Sequence, residues 1–395
     1  MISYTEAQNI ISAHTRSFGK EELPLEQVLD RVLGEKIYAD RDYPPFNRAT
    51  MDGYAISSDD YKNGIHRFEI AETVFAGQLP SKKITAGQCY KIMTGAAVPP
   101  GTDCVIRRED TSESGGYMEV LAENCNPLQN IACKGEDFKA KETIISEPVT
   151  CTPPVISLLA ATGKTTVVVE KLPGIAIITT GNEVVPVQHP VSPVQIRNSN
   201  SWLIKALLAK MRIEPVSVQH MEDDKQLIAE AFKKALESAD IIITCGGVSA
   251  GDADFIPAVA EEAGIKKLFH KVAIKPGKPV WCGVTPAGGL MFGLPGNPFS
   301  CLVTFTLFIR HYLFGCFGLG AAKQLSFQLD KERIKKSNLD EFFPVQVQKG
   351  TSFVTPLVFN GSGDIQAALF ADGIAVHPST VMQLEKGSMV PCLQL

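Results

Sequence analysis

The sequence offers little for a transition metal. No two of its ten cysteines form a CxxC pair, and the seven histidines are dispersed. That argues against a zinc site and for free or buried thiols in a reducing compartment. An excess of positive charge is also missing. Lysine and arginine number 38 against 43 acidic residues, a net charge of −5, which excludes a nucleic-acid partner held by counterion release. A local basic pocket for a small anion is still allowed. Long uncharged runs are lacking too. The most apolar stretch, Cys301 to Gly320, is broken by Arg310 and His311 and reads as too short and too polar to cross a bilayer. Met1 to Glu6 show no basic segment followed by an apolar one, so no secretory leader, no membrane partner and a cytoplasmic location are expected. Apolar residues make up 45% and charged residues 21%, which excludes wholesale disorder. At roughly 150 residues per domain, the 395 residues make two or three domains.

What is present alternates in character. Ser3 and Glu6 have capping-box spacing, which predicts a helix to about His14, and a second short helix follows Pro24. Residues 46–139 hold short β-prone runs, Cys89 to Met93 and Tyr117 to Leu121, between turn clusters; this is a β-rich module. From Gly174 strands alternate with helices. Ile175 to Thr179 and Asp240 to Cys245 are continuous apolar runs, as for strands buried on both faces. Val216 to Gln219, Phe269 to Ala273 and Leu290 to Phe292 are further strands. One helix is capped by Ser199 or Asn200, with Leu203, Ala206, Leu207 and Met211 on its core face. Others cover Asp223 to Leu236 and about Asp254 to Glu262, and a long apolar helix opens with Asn297 as N-cap and Pro298 behind it. The fold class is α/β multidomain, with a doubly wound, mostly parallel sheet. After Gln324, Pro344 to Val347 and Phe353 to Phe359 turn strand-like again, a small C-terminal β module.

An open parallel sheet binds ligands beyond the carboxyl ends of its strands. Three loops fall there: Thr180 to Glu183, Gly246 to Asp254, and Pro295 to Pro298. Gly246 and Gly247 allow backbone amides to turn around an anion, and Asp252 and Asp254 can bind magnesium. A tight turn with acidic capping residues has the same composition. Glu183 is a carboxylate at a strand end or a surface acid beside a turn glycine. Pro295 and Asn297 precede open helix amides suited to a phosphate or nucleobase, or simply punctuate a helix start. Lys271, Lys275 and Lys278 surround a rigid Pro-Gly turn; along one strand Lys271 and Lys275 face the same way, as anion ligands or as solvated charges. Upstream, Arg48 to Ala55 is a polar knot around Asp52, and Thr94 follows a strand. Arg107 and Arg108 precede Glu109 and Asp110, a second basic pair or a salt-bridged edge strand.

Taken in order, Arg48 to Ile56, Lys91 to Ala96, Gly135-Glu136-Asp137, Thr180 to Glu183, Gly246 to Asp254, Lys275 to Pro279 and Gly293 to Ser300 closely resemble the molybdopterin molybdenumtransferase family, MoeA and the gephyrin E domain. The resemblance covers nearly the whole chain. It implies four modules: 21–45 with 140–172 as a linking domain, 46–139 β-rich, 1–20 with 173–324 α/β and molybdopterin-binding, and 325–395 a C-terminal β domain. It implies an elongated homodimer whose cleft is shared by the β-rich domain of one subunit and the α/β domain of the other. The implied reaction takes adenylylated molybdopterin and molybdate, inserts molybdenum at the dithiolene and hydrolyses the adenylate with release of AMP. Mg²⁺ participates, and an upstream molybdopterin adenylyltransferase supplies the substrate. Carried over by position, Asp52, Thr94, Asp137, Glu183 and Asp254 are catalytic, and Glu183 and Asp254 hold the metal, with Asp223 or Asp224 as a third acid. Lys271, Lys275, Lys278, Gly246, Gly247, Ser249, Pro295, Asn297 and Ser362 bind substrate and anions.

There are departures. Asn182 stands where the family has the Asp of Gly-Asp-Glu, and Ala132 where an Arg precedes Gly-Glu-Asp. Asn338 to Val345 lacks the arginines of a Gly-Arg-x-x-Phe-x-Arg-like stretch, and Asp364, Gln366 and Ala367 are unusual after Gly361-Ser362-Gly363. Fewer cations in this module favour an alternative, a weakened paralogue acting as a binding or scaffold protein. The acidic and lysine positions favour the enzyme.

Overall fold

The buried β-branched runs become the centre of a sheet. The computed structural model describes residues 1–146, 148–248, 255–320 and 324–395. Its backbone divides into two units: Met1–Gly34 with Pro148–Thr152 and Val167–Leu395, and Glu35–Glu147 with Pro153–Thr166.

In the first unit six strands lie in the order Ser217–Met221, Ile175–Thr180, Ile241–Cys245, Leu290–Leu294, Trp281–Val284 and Lys266–His270. The first four are parallel; the last two join antiparallel. Every residue of Ile175–Thr180 is buried, because alternate side chains enter two different cores. Ile175, Ile177, Ile243 and Phe292 pack with Ala7, Ile204 and Leu302 from helices on one face. Ala176, Ile178, Ile242 and Met291 pack with Phe232 and Val259 from helices on the other. The sheet is doubly wound and mostly parallel, as expected.

Several elements differ from the expectation. The helix Ser199–Ala209 is capped by Asn198, whose side chain accepts from Ser201 N, rather than by Ser199 or Asn200. Its buried face centres on Ile204 and Leu208, while Ala206 is exposed. The edge strand is Lys266–His270, three residues before its expected place. Lys271 follows it with φ 70°, which ends the strand. The antiparallel strand Trp281–Val284 has no expected counterpart. The apolar helix runs Pro298–Thr304, a π-helical turn Phe305–Ile309, then Arg310–Cys316. At 19 residues this segment is long and apolar enough to cross a membrane, contrary to expectation; 78% of its apolar 18-residue window is buried inside the fold, as a core helix.

The C-terminal strands form a second sheet in this unit. Asp340–Val347, Phe353–Pro356, Leu325–Leu329, Met389–Gln394 and Gly373–His377 follow one another, and Gly373–His377 pairs back onto Asp340–Val347 to close the ring. The two-residue strand Ile274–Lys275 adds to its edge, parallel to Asp340 and Glu341.

The second unit carries the β-rich sheet, in the order Cys104–Arg107, Gly53–Ile56, Gln88–Ile92, Arg67–Val74, Tyr117–Val120 and Thr111–Ser114. Period-2 alternation again sorts its residues. Tyr54, Ile56, Cys104, Ile106 and Phe68 fill one core, and Ala55, Val105, Tyr90 and Ile92 the other.

Candidate active site

Thr180, Cys245 and Leu294 end three neighbouring parallel strands, so the loops after them open at one edge. There they line a cavity of about 810 Å³, a size suited to a small-molecule site. Gly181, Glu183, Gly246, Gly247, Pro295, Gly296 and Asn297 all contribute to its wall. The described parts of the three loops line one cavity, at the strand ends where the sequence placed them. Ser249 and Asp254 lie outside the described residues.

Gly246 has φ 98°, and a Cβ there would meet Thr180 O at 2.7 Å. Only glycine fits at this point. Asn297 precedes the helix without capping it by its side chain. Its Nδ2 instead donates to Ser362 Oγ at 2.8 Å, which ties the helix start to the C-terminal module beside the cavity residues Gly363 and Ile365. Asp364 turns its carboxylate inward on Asn360 N and Gln366 N. These amide bonds hold it below the usual carboxylate range.

Two carboxylates, Glu183 and Asp223, share the wall. Asp224 is committed elsewhere, capping the helix Lys225–Ser238 through Gln226 N and Leu227 N. Asn182 and Asp223 are mutually bonded: Asp223 N donates to Asn182 Oδ1 at 2.9 Å, and Asn182 N to Asp223 Oδ2 at 3.4 Å. One or two carboxylates beside phosphate and water are what magnesium commonly takes, so the donor set fits that ion. Among the described residues no group of three His, Cys, Asp or Glu forms a metal cluster.

The lysines are placed differently from the expectation. Lys271 and Lys275 do not share a strand. Lys271 is in the left-handed region, and Lys275 belongs to the pairing with Asp340–Val347 and reaches Glu341 at 3.2 Å. Lys278 is exposed. The loop meets the cavity at Pro279; the cation in the described wall is Arg197, which sequence reasoning missed. Its Nε donates to Val187 O at 3.1 Å. Also missed as wall residues were Asn198 and Asn200, while Thr180 belongs to a loop that was expected there. Asn198 Nδ2 donates to Thr179 Oγ1 at 2.8 Å and Asn200 Nδ2 to Gly296 O at 2.6 Å. Thr180 Oγ1 and Asn200 Oδ1 are buried without a partner among the described residues.

In the second unit Asp52 and Thr94 are joined. Asp52 Oδ1 accepts from both Thr94 N and Thr94 Oγ1 at 2.7 Å, and these bonds hold its carboxyl below the usual range. Gly53 follows because a Cβ there would meet Ile106 O at 1.9 Å. Asp137 is exposed and its N–H donates to Tyr43 O at 3.0 Å; no hydrogen bond links it to the pair. Arg107 bridges Asp110 at 2.8 Å at the end of an edge strand.

Three family models match the chain: MoeA N-terminal region (domain I and II) over residues 2–163, a probable molybdopterin binding domain over 176–314, and MoeA C-terminal region (domain IV) over 327–395. A molybdopterin molybdenumtransferase of Synechocystis sp. is 32% identical over 99% of both chains. The chain belongs to the molybdopterin molybdenumtransferase family. A Bacillus subtilis molybdopterin molybdenumtransferase is also 32% identical, over 96% of this chain and 91% of that one. Among solved structures, a molybdopterin biosynthesis MoeA protein of Pyrococcus horikoshii covers 100% of both chains at TM-score 0.85 and 26% identity. The loops at the Gly-rich edge of the sheet fall within the 176–314 match to a probable molybdopterin binding domain.

Proposed function

We propose that this protein inserts molybdenum from molybdate into adenylylated molybdopterin, hydrolyses the adenylate and releases AMP. The observation that carries the reading is the 810 Å³ cavity at the sheet edge, with two carboxylates and an arginine in its wall, in a chain of this family. Gly246, Gly247 and the amides after Asn297 suit oxyanions, as oriented N–H groups do. Arg197, with Lys271, Lys275 and Lys278 on the loop ending at Pro279, supplies cations for a dianionic substrate. Glu183 and Asp223, with Asp254 as a further acid, are the oxygens that would hold Mg²⁺, whose charge, when bound, neutralises the phosphate oxygens at the breaking bond. Ser249 and Ser362 are proposed as substrate contacts. Asp52, lowered by Thr94, is a weak base at neutral pH, which favours positioning over proton abstraction; Asp137 is proposed to act with it. The functional assembly is a homodimer fed by a molybdopterin adenylyltransferase.

The test is incubation with adenylylated molybdopterin, Mg²⁺ and molybdate, with AMP measured. The expected result is molybdate-dependent AMP release, reduced on the order of a hundredfold in Glu183→Ala. A folded, dimeric protein that releases no AMP would rule the enzyme out.

A further inference from the structure

Two thiols of the β-rich unit stand apart from the other cysteines. Cys104 Sγ and Cys125 Sγ are 2.8 Å apart. Cys104 is 0% exposed and Cys125 5%. We propose that they are a redox-responsive pair, closed to a disulfide by a small disulfide such as oxidised glutathione and reopened by a thiol.

The surroundings supply access and a consequence. Cys104 begins the strand Cys104–Arg107. Cys125 lies in the loop between Tyr117–Val120 and Ile131–Ala132, where Glu123, Asn124, Asn126, Pro127 and Leu128 are exposed around it. The loop carries two non-glycine residues in the left-handed region, Leu128 at φ 64° and Asn130 at φ 56°, a backbone that its contacts must hold in place. Hydrogen bonds to the neighbouring strands supply that hold: Leu128 N donates to Asp103 O at 2.7 Å, Val105 N to Gln129 O at 3.0 Å and Thr50 N to Asn130 O at 3.0 Å, Asn130 Nδ2 donates to Val105 O at 2.8 Å and Tyr61 Oη to Ala122 O at 2.9 Å, while no backbone bond of Cys125 itself is among them. A local opening of such a segment brings Cys125 to solvent. The hydrogen bond between the two thiols lowers the Cys125 pKa and, with burial, raises that of Cys104, so Cys125 loses its proton first and is the attacking sulfur, and Cys104 follows only once Cys125 is in the mixed disulfide.

The chemistry balances. Cys125 thiolate attacks one sulfur of the reagent disulfide and forms a mixed disulfide, releasing one thiol. Cys104 thiolate then attacks Cys125 Sγ and displaces the second. Two protein S–H protons end on the two released thiols, and two electrons reduce the reagent. The closed bond ties the loop to the strand that frames Asp52: Arg108 N donates to Asp52 O at 3.0 Å, and Thr50 N to Asn130 O at 3.0 Å. Oxidation therefore stiffens the backbone around Asp52, from Thr50 to Asp52.

The experiment uses the full chain. Protein is exposed to oxidised glutathione, unfolded in iodoacetamide and digested with trypsin, which separates the two cysteines at Arg107 and Arg108. The expected result is a Cys104–Cys125 linked peptide lacking two hydrogens, a fall of two from the ten free thiols, and reversal by dithiothreitol. Cys104→Ser should instead retain a glutathione adduct on Cys125, and hydrogen exchange at residues 121–130 should slow in the oxidised wild type. Alkylation of both cysteines at full yield after exposure, or linkage of either to Cys89, would overturn the proposal.

Discussion

At the scale of single residues, the Asp52–Thr94 pair joins positions 42 apart, and nothing local in Asp-Gly distinguishes it from a turn. The ordered series of motifs singled out the two residues separately; their hydrogen bonding was not legible. Arg197 and Asn198 escaped notice because their segment has no regular pattern; their meaning comes from the cavity they line. The Thr94 bonds lower the Asp52 pKa, so this carboxylate stabilises the fold above its ordinary value of 3.8 and loses that contribution as pH falls through the lower folded value. Thr94→Val removes the O–H donor and keeps the amide. The expected outcome is an upward move of the Asp52 titration, read by carboxyl NMR, with AMP release reduced on the order of tenfold and a small fall in melting temperature at neutral pH. A titration that stays put would show that the hydroxyl does not hold the carboxylate.

Among elements, the strands of the parallel sheet were readable because burial on both faces leaves a continuous apolar run. Two-residue strands such as Ile274–Lys275 and Arg333–Ile334 were not, since tertiary pairing alone makes them. They bring the exposed Lys275 and the partly buried Arg333 to Glu341 and His377, which are buried in the closed C-terminal sheet. Arg333 donates to Glu341 Oε2 at 2.7 Å and bonds His377 Nδ1 at 2.7 Å, and its guanidinium lies 4.2 Å from the Phe343 ring centroid. An arginine is thus supplied to this module from outside the stretch that lacks one. Burial raises the Glu341 pKa, but Arg333, Ser337 and Lys275 outweigh it and leave it lowered. Burial, then Arg333 and Lys335, lowers that of His377. Both groups bind protons more readily unfolded, so the module loses stability as pH falls below 6.5 and again below 4.5, the ordinary values. Arg333→Ala leaves Glu341 buried with less compensation and is expected to cost about 3–5 kcal/mol at pH 7. The cost should shrink as Glu341 protonates; urea denaturation at pH 7 and pH 4 measures both. Equal cost at the two values would remove the ion pair from the account.

For the whole molecule, composition marks the change near Gly174 from short β runs to alternating strands and helices, whereas the closure of the C-terminal sheet depends on pairings between distant strands and has no sequence signature. Each unit owns its core: Phe68, 0% exposed, packs with Tyr54, Ile106 and Met118 in the second, while both tryptophans, Trp202 and Trp281, fall in the first. Tryptophan emission therefore reports the first unit alone, and far-ultraviolet circular dichroism reports both. Phe68→Ala empties a large buried volume and is expected to destabilise the second unit by about 3–5 kcal/mol. In a chain of two cores the melt need not be two-state. The expected outcome is an earlier transition in circular dichroism with the tryptophan transition unmoved, since distant sites are energetically independent unless something couples them. Ligand binding at the sheet-edge cavity, followed by Trp202 or Trp281 emission below the first transition, should be unaffected. If the tryptophan transition instead falls with the other by the same interval, the two units unfold as one, and a defect in the β-rich core reaches the cavity through stability rather than through chemistry.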